Sequence, residues 1–496
     1  MSHTAPRTVT SFIDGASVAP AGEPLPVFYP ASGEKISELR EADAAEVDRA
    51  VSAARKAFDQ GPWSGLGTDK RQDVLLKIRQ TVLDHVDELA LLECLNTGLV
   101  LRELKDRHVA RAAYNFRFFA EFIGQMAGQV YGQNPAYQTI VTREPVGIAG
   151  LIAPWNAPLA LASMKVAAAI AFGNTCVLKP SEQTPLALAR FVELLHEAGL
   201  PDGVVNLVNG RGAVTGQALV DHPGVDLLSF TGGTETGRQI MASAGKRLVP
   251  TTMELGGKSA NIIFDSADID EALNGALLGI FSNNGQQCLA GSRILVQRSI
   301  ADNFIEHFVA RAERIRVGDP MADDTELGPL ASEPHMRRVL GYADIATSEG
   351  GRLLTGGQRR DDLGAGYYVT PTAVMAPNND ARVCQEEIFG PFASFLTFDT
   401  IDAAIALANA STFGLVSYVW SNDLPTVMRA TREIRAGVIW VNTPMMRELR
   451  APFGGYKDSG VGREGGEACR DFYTEPKTVS IPTAPLQLRR LGDNGS

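Results

Sequence analysis

The chain has 496 residues, of which 45% are hydrophobic and 21% are charged, and its formal net charge is −11. This apolar content over this length predicts a soluble globular protein of about three domains. The negative charge argues against a nucleic-acid partner, because phosphate binding needs clustered positive charge.

The first 143 residues predict helices followed by one isolated strand. Apolar spacing indicates a helix over residues 43–58, a helix or helix pair over 72–94 and a long, aromatic-rich helix over 107–126. Residues 137–143 alternate, are rich in β-branched side chains and predict an extended strand. Because helical patterns flank this strand, it is expected to be a projecting ribbon outside the main sheet.

From residue 146 onward, strands and helices alternate regularly. Strands are predicted over 146–154, 174–180, 204–210 and 225–233, with helices over 160–172, 185–198 and from about 234. This order predicts an α/β fold with a parallel, doubly wound sheet. A second α/β series runs from about 254 to 463, and a late strand at 478–485 is a candidate partner for the ribbon.

The five cysteines are Cys94, Cys176, Cys288, Cys384 and Cys469. They are widely spaced and form no C-x-x-C, so the prediction is free thiols in a reducing compartment and no metal site. The N-terminus lacks a signal-peptide pattern. Lys165 and Asn156 interrupt the most apolar stretch, 146–172, which argues against a membrane span. A cytoplasmic protein without a membrane partner is therefore expected.

A glycine-rich turn, FTGGTETG at 230–237, joins a predicted strand to a predicted helix. Its backbone amides and the positive end of the helix could bind a pyrophosphate. The turn matches neither named motif: Arg238 and Gln239 stand where a P-loop needs Lys and Ser/Thr, and G-x-G-x-x-G is absent. A plain helix-initiating turn remains the alternative.

Two further segments place polar groups at predicted strand ends, where doubly wound sheets bind ligands. In VLKPSEQTP, Lys179 and Glu182 could bind ribose hydroxyls, or could form a solvated charge pair. In QEEIFGPF, Glu387 could bind a ribose while Phe389 packs a ring, or both could be structural.

Three segments carry candidate reactive groups. In NNGQQCLAGSR, small neighbours leave room beside Cys288, so this thiol is a candidate nucleophile, with an inert buried cysteine as the alternative. In ELGGKSA, Glu254 is a candidate general base or a paired structural acid. In APWNAP, Asn156 is a candidate oxyanion donor or a turn residue.

Taken together and in order, these strings resemble the aldehyde dehydrogenase superfamily along essentially the whole chain. The resemblance implies a Rossmann-like NAD domain (1–124 and 145–253), an α/β catalytic domain (254–465) and a small β oligomerisation arm (125–144 and 466–496). It also implies a dimer or tetramer of identical chains, in which the arm completes a neighbour's sheet.

The resemblance implies a covalent mechanism. Cys288 attacks the aldehyde, Asn156 and the Cys288 amide hold the oxyanion, hydride passes to NAD, and Glu254 activates water to hydrolyse the thioester. Glu182 favours NAD over NADP, because it would repel a 2′-phosphate. The family usually has serine where Gly233 stands. The implied cofactor residues are Trp155, Lys165, Lys179, Glu182, Thr231, Gly232, Gly233, Leu255, Glu387 and Phe389.

YNFRFFAE, VNTPMMRELRAPFGG and GREGGE most resemble the hydroxymuconate- and aminomuconate-semialdehyde dehydrogenases of this superfamily. Their substrates carry carboxylates, for which arginine is suited. Arg107 and Arg450 match substrate arginines of these relatives, with surface ion pairs as the alternative. Met164 stands where many relatives carry a large aromatic residue, which implies a wide substrate tunnel, and Leu289, Met446 and Phe453 are expected to form its apolar wall. A broad-specificity or betaine-type enzyme, a CoA-acylating enzyme and a non-catalytic relative remain alternatives.

Overall fold

The computed structural model describes residues 8–19, 21–486, 488–489 and 491–492. Two large sheets and one small sheet organise the chain. No helix within these ranges is both long and apolar enough to cross a membrane.

The first sheet has a core of five parallel strands in the order 3-2-1-4-5, which is the Rossmann order without its sixth strand. In sequence, these strands are Ile148–Ile152, Thr175–Lys179, Val205–Leu207, Leu227–Thr231 and Thr251–Glu254. Antiparallel strands extend both edges: Phe12–Ile13 and Ala16–Ser17 on one side, Gly460–Val461 on the other. The four predicted strands from residue 146 onward are confirmed.

Helices cover this sheet on both faces, which is why every residue of its three middle strands is buried. The predicted helix at 43–58 is confirmed as Ala44–Asp59, with Asp43 accepting a hydrogen bond from the Glu46 amide at 2.8 Å. The predicted segment 72–94 is a pair of helices. The helices of this half are Ala44–Asp59, Thr68–Asp84, Val86–Thr97, Leu101–Glu103, Ala110–Ile123, Pro158–Ala171, Leu186–Glu197, Gln217–Asp221 and Thr234–Lys246.

The predicted helix at 107–126 is not regular throughout. Residues Leu104–Val109 form a π-helical turn, and the α-helix proper is Ala110–Ile123. A π-turn admits one extra residue per turn and therefore re-aims the side chains that follow. Arg107 and His108 lie in this turn.

The second large sheet is parallel except for one edge strand. In spatial order its strands are Arg352–Thr355, Thr372–Met375, Phe392–Phe398, Arg293–Gln297, Ala260–Ile263, Val416–Trp420 and Val438–Val441. Its helices are Ile269–Phe281, Arg298–Ala312, Glu333–Ser348, Arg382–Gln385, Ile401–Asn409 and Leu424–Glu433. A last helix, Gly466–Tyr473, leads out of this half.

The predicted ribbon pairs with the predicted late strand, and this expectation is confirmed. Tyr137–Pro145 lies antiparallel between Thr474–Pro482 and Gln129–Tyr131. The remaining strands form two small antiparallel pairs: Pro24–Tyr29 with Glu34–Arg40, and Phe413–Gly414 with Tyr456–Lys457.

Candidate active site

Two cavities meet at Cys288. The larger, of about 780 Å³, opens at the carboxyl ends of the first sheet's parallel strands, where Ile152 faces Lys179 and Thr231 faces Glu254 in register. The smaller, of about 460 Å³, is lined by the helical segment 103–114 and by residues 282–289. Cys288, Asn156 and Leu161 line both cavities. A group held in one cavity and a group held in the other can therefore both approach Cys288.

Cys288 is partly exposed, whereas the other four cysteines are buried. Desolvation raises the pKa of its thiol to about 12, and the negative charges of Glu387 and Glu254 act in the same direction. The positive charge of Arg447 partly opposes them. The resting side chain is therefore a thiol, and the reactive thiolate needs a base or an added positive charge nearby.

The turn before Cys288 is built from residues that tolerate left-handed backbone. Asn283 and Asn284 both have φ of 55°, and Gly285 has φ of 70°. A side chain at Gly285 would meet the backbone of Gly390 at 2.2 Å, so only glycine fits. The sharp turn directs residues 286–289 to the junction of the cavities.

Asn156 is tied to this turn. Its Nδ2 donates to the Gln286 carbonyl at 2.9 Å, and Nδ2 of Asn283 donates to the Asn156 carbonyl at 2.9 Å. Since a side-chain amide carries two N–H groups, one remains for an oxyanion beside Cys288.

Glu254 ends its strand at the wall of the larger cavity and is buried. Neither carboxyl oxygen has a hydrogen-bond partner among the described residues. Burial raises the pKa of Glu254 well above its usual range, and the nearby charge of Glu464 adds to this effect. Lys165 and Arg447 oppose the rise. A carboxylate of raised basicity beside a reactive centre is suited to accept a proton from water.

Nine of the ten predicted cofactor residues line the larger cavity: Trp155, Lys179, Glu182, Thr231, Gly232, Gly233, Leu255, Glu387 and Phe389. Lys179 lies 3.3 Å from Glu182, and burial lowers the lysine pKa while Glu182 opposes this. Gly233 precedes helix Thr234–Lys246, whose positive end faces the cavity. A side chain at Gly233 would enter open space, so no steric reason requires glycine there.

Lys165 is the exception. It is 1% exposed and donates to Ser229 Oγ at 2.9 Å and to Glu464 Oε1 at 2.8 Å, away from the residues that line the larger cavity. Its helix, Pro158–Ala171, is buried almost all round, so the side chain is inside the protein and paired with an internal acid.

The predicted substrate residues separate into three groups, which line the smaller cavity, lie in the core or lie on the surface. Arg107 and Leu289 line the smaller cavity, whereas Met164 and Phe453 are buried in the hydrophobic core. Met446 is 68% exposed. Arg450 is 77% exposed at its side chain and forms an ion pair with Glu448, with Nη2 2.7 Å from Oε2. The structure thus places Arg450 and Met446 on the surface, because the irregular segment 442–451 turns both outward.

Four functional candidates were missed in the sequence. Arg111 lines the smaller cavity one turn after Arg107, a spacing visible in the sequence. Burial and the neighbouring charge of Arg447 lower the Arg111 pKa to about 9. Arg447, three residues before Arg450, has buried Nε and Nη2 atoms that make no hydrogen bond among the described residues, and its Nη2 lies 4.0 Å from Glu464 Oε2. His335 and Arg338 line the larger cavity, and no motif marks them.

Comparison with known proteins agrees with this geometry. The sequence model of the "Aldehyde dehydrogenase family" matches residues 18–479. The chain belongs to the aldehyde dehydrogenase family. The predicted family, the predicted fold and the predicted class of enzyme are confirmed.

Three relatives illustrate the similarity. The chain is 43% identical to the 5-carboxymethyl-2-hydroxymuconate semialdehyde dehydrogenase of Escherichia coli, over 93% of this chain and 98% of that protein. It is 41% identical to a betaine aldehyde dehydrogenase of Bacillus subtilis, over 97% and 98%. An NAD+ complex of an aldehyde dehydrogenase from Bacillus cereus superposes with a TM-score of 0.95 at 39% identity, covering 97% of this chain and 98% of that one.

Proposed function

We propose that this aldehyde dehydrogenase oxidises a carboxylated semialdehyde to the acid, with NAD+ as the oxidant and Cys288 as the nucleophile. The observation that carries the proposal is the position of Cys288, where a cavity lined by nine predicted cofactor residues meets a cavity lined by arginines. NAD is the cofactor predicted for the family, and a solved relative is an NAD+ complex.

The larger cavity suits a dinucleotide in its chemistry. Lys179 and Glu182 can bind ribose hydroxyls, and amides at the start of helix Thr234–Lys246 can bind a pyrophosphate. The Glu182 carboxylate disfavours a 2′-phosphate, which supports NAD over NADP. NAD+, when bound, supplies the hydride acceptor and a positive charge near the thiol.

The residues at the junction carry the remaining chemistry. The Cys288 thiolate adds to the aldehyde carbon, while an Asn156 N–H and the Cys288 amide stabilise the oxyanion. Loss of hydride from the thiohemiacetal leaves a thioester. Glu254 takes a proton from water, the hydroxide attacks the thioester carbon, and the acid departs as the Cys288 sulfur is released.

The substrate class is supported by the arginines. Arg107 and Arg111 line the smaller cavity, and Arg447 lies close enough for its charge to lower the Arg111 pKa. Arg111 Nε donates to Asn115 Oδ1 at 2.9 Å, which leaves the two Nη groups of Arg111 for a carboxylate ligand. Similarity alone does not select the substrate, because the betaine relative is nearly as similar as the hydroxymuconate relative. A quaternary ammonium substrate would need a cage of several aromatic rings. Among the described residues that line this cavity, only Tyr114 is a Phe, Tyr or Trp, so the cavity favours a carboxylate over a quaternary ammonium group.

We also propose a homo-oligomer, dimer or tetramer, formed through the arm sheet. Thr474–Pro482 is an edge strand, and Val130, Val479 and Ile481 expose 59%, 39% and 48% of their surface. Edge strands with exposed apolar side chains favour pairing with another chain. The five unpaired cysteines support the cytoplasm as the location.

The test is NADH formation with matched aldehydes. The purified protein is assayed with NAD+ or NADP+, with and without CoA, against a carboxylated semialdehyde, an uncharged aldehyde of similar length and betaine aldehyde. We expect the highest kcat/KM with the carboxylated aldehyde and NAD+, a free acid as product, and no turnover by Cys288→Ala. Preference for the betaine substrate, or an acyl-CoA product, would contradict the proposal.

A further inference from the structure

The segment 387–389 has an unusual backbone. Phe389 adopts a left-handed conformation with φ of 63°, which non-glycine residues avoid. Its ring packs edge-on against Trp155 at 5.2 Å. Glu387 turns its Oε1 toward the Gly257 amide at 2.9 Å. Because Trp155, Glu387 and Phe389 all line the larger cavity, this backbone shapes the wall near Cys288.

Two side chains of helix Glu333–Ser348, which also line the larger cavity, hydrogen-bond to that backbone. Nε2 of His335 lies 2.7 Å from the Phe389 carbonyl oxygen, and Nη2 of Arg338 donates to the Glu387 carbonyl at 2.6 Å. A spacing of three residues places both on one face of the helix. Since a carbonyl only accepts, Nε2 of His335 carries the hydrogen.

The His335 imidazole is held in the neutral form that donates from Nε2 to the Phe389 carbonyl. Burial lowers the pKa of His335 to about 4, with the charge of Arg338 acting in the same direction and the Phe389 carbonyl opposing it. The ring is therefore neutral at neutral pH and has a single N–H, which the Phe389 carbonyl occupies. His335 also contacts Trp155 edge-on at 5.1 Å, so it joins the loop to the cavity wall by ring packing as well.

We propose that His335 and Arg338 are positioning residues that hold segment 387–389 in its binding conformation for the nicotinamide half of NAD. The inference rests on the proposed function. A left-handed phenylalanine persists only where surrounding contacts enforce it, and these two hydrogen bonds are such contacts. Without them the segment relaxes toward ordinary backbone and carries the Glu387 carboxylate away from its place.

Matched variants separate the hydrogen bonds from simple packing. His335→Phe keeps a ring against Trp155 but removes the donor, whereas His335→Gln restores a donor without the ring. Arg338→Met removes the second donor. Arg337→Met is the control, because Arg337 is on the same helix but pairs with Glu333 at 2.6 Å.

Two measurements are made on each intact protein. Amide hydrogen exchange of the peptide that spans 386–390 is measured without cofactor. The Kd values of NAD+ and of AMP, the adenylate half of NAD+, are measured by titration. For His335→Phe and Arg338→Met we expect exchange and the Kd of NAD+ to rise about 5- to 10-fold, the loss of roughly one hydrogen bond. AMP binding, His335→Gln and Arg337→Met should stay within about twofold of the wild type.

Unchanged exchange in both His335→Phe and Arg338→Met overturns the inference, as does equal weakening of AMP and NAD+. If His335→Gln is impaired while His335→Phe behaves like the wild type, ring packing rather than the hydrogen bond is responsible, which also overturns it. Should His335→Phe fail to fold, Arg338→Met decides alone, because Arg338 is exposed. Failure of the proposed function gives a different result, because the wild type would then bind no NAD+. The hydrogen-exchange measurement would still test whether His335 and Arg338 hold segment 387–389.

Discussion

Lys165 and Glu464 form a buried ion pair, with Nζ 2.8 Å from Oε1 and the side chains 1% and 10% exposed. Burial alone would raise the pKa of Glu464, but the charges of Lys165 and Arg447 outweigh it and lower that pKa. The resulting negative charge helps to raise the pKa of Glu254. The basicity of the candidate general base is therefore set partly by a pair that lies away from the larger cavity.

Removing the cation of this pair should shift the pH dependence of thioester hydrolysis. Lys165→Met deletes a charge that lowers the pKa of Glu254, so that pKa rises and the ascending limb of kcat against pH moves to higher pH. Breaking the buried pair should also cost about 3–5 kcal/mol of the free energy of unfolding. Steady-state rates from pH 5 to 10 and denaturant unfolding measure the two effects.

The double variant Lys165→Met/Glu464→Gln is the control for that prediction. This variant also removes the buried Glu464 carboxylate that Lys165→Met leaves without a partner. The ascending limb of kcat against pH should therefore move back toward lower pH, and part of the lost free energy of unfolding should return. An ascending limb that is the same in all three proteins would show that the pair does not influence Glu254.

Replacing the general base should separate the two halves of the reaction. Glu254→Gln still allows attack by Cys288 and hydride loss, so we expect a burst of one NADH per active site followed by turnover reduced about 100-fold or more. Rapid-mixing absorbance measures the burst, and intact mass spectrometry detects the acylated Cys288. Normal steady-state turnover would contradict the role assigned to Glu254. So would the absence of both the NADH burst and the acylated Cys288.

The arginines should discriminate between charged and uncharged aldehydes. Arg447→Met and Arg111→Met each remove a partly buried cation, and we expect kcat/KM for a carboxylated aldehyde to fall about 10- to 100-fold. For Arg111→Met the uncharged aldehyde should lose less than about threefold. Arg447→Met also removes a charge that lowers the Cys288 pKa, so it should slow both aldehydes, and the carboxylated one more. The ratio of the two kcat/KM values is the measurement, because a general disturbance of the site lowers both equally.

Arg450→Met is the matched control, since Arg450 belongs to the same segment but faces solvent. It should leave the ratio unchanged. A large selective loss for Arg450→Met, with none for Arg447→Met, would restore the sequence-based assignment of Arg450.

A side chain added at Gly285 should destabilise the fold, whereas one added at Gly233 should not. At Gly285 a Cβ meets backbone at 2.2 Å and φ is 70°, so Gly285→Ala should destabilise the fold by about 2 kcal/mol or more and reduce turnover. At Gly233 no atom lies within 4 Å of a Cβ, so Gly233→Ser should fold normally and bind NAD+ at least as well. Thermal unfolding and NAD+ titration of both variants check this, and equal destabilisation would refute the steric argument.

The sequence by itself determined the family and the alternation of the first sheet, and it supplied the candidate reactive residues. Strand ends and turns are local: Glu254 ends a strand, Cys288 follows a glycine turn, and parallel strands bring such ends to one edge. The resemblance to the family supplied ten candidate cofactor residues, and nine of them line one cavity. The pairing of the ribbon with the late strand followed from two alternating patterns left over from the main sheets.

Only the tertiary structure decided where long charged side chains point. Arg447 and Arg450 stand three residues apart in an irregular segment that lacks helical or strand periodicity, and their side chains are 18% and 77% exposed. Lys165 looked like a cofactor ligand but pairs with Glu464, 299 residues away in the chain. Such contacts depend on the packing of distant segments and on the cost of burying charge without a partner, and neither is written in the local pattern.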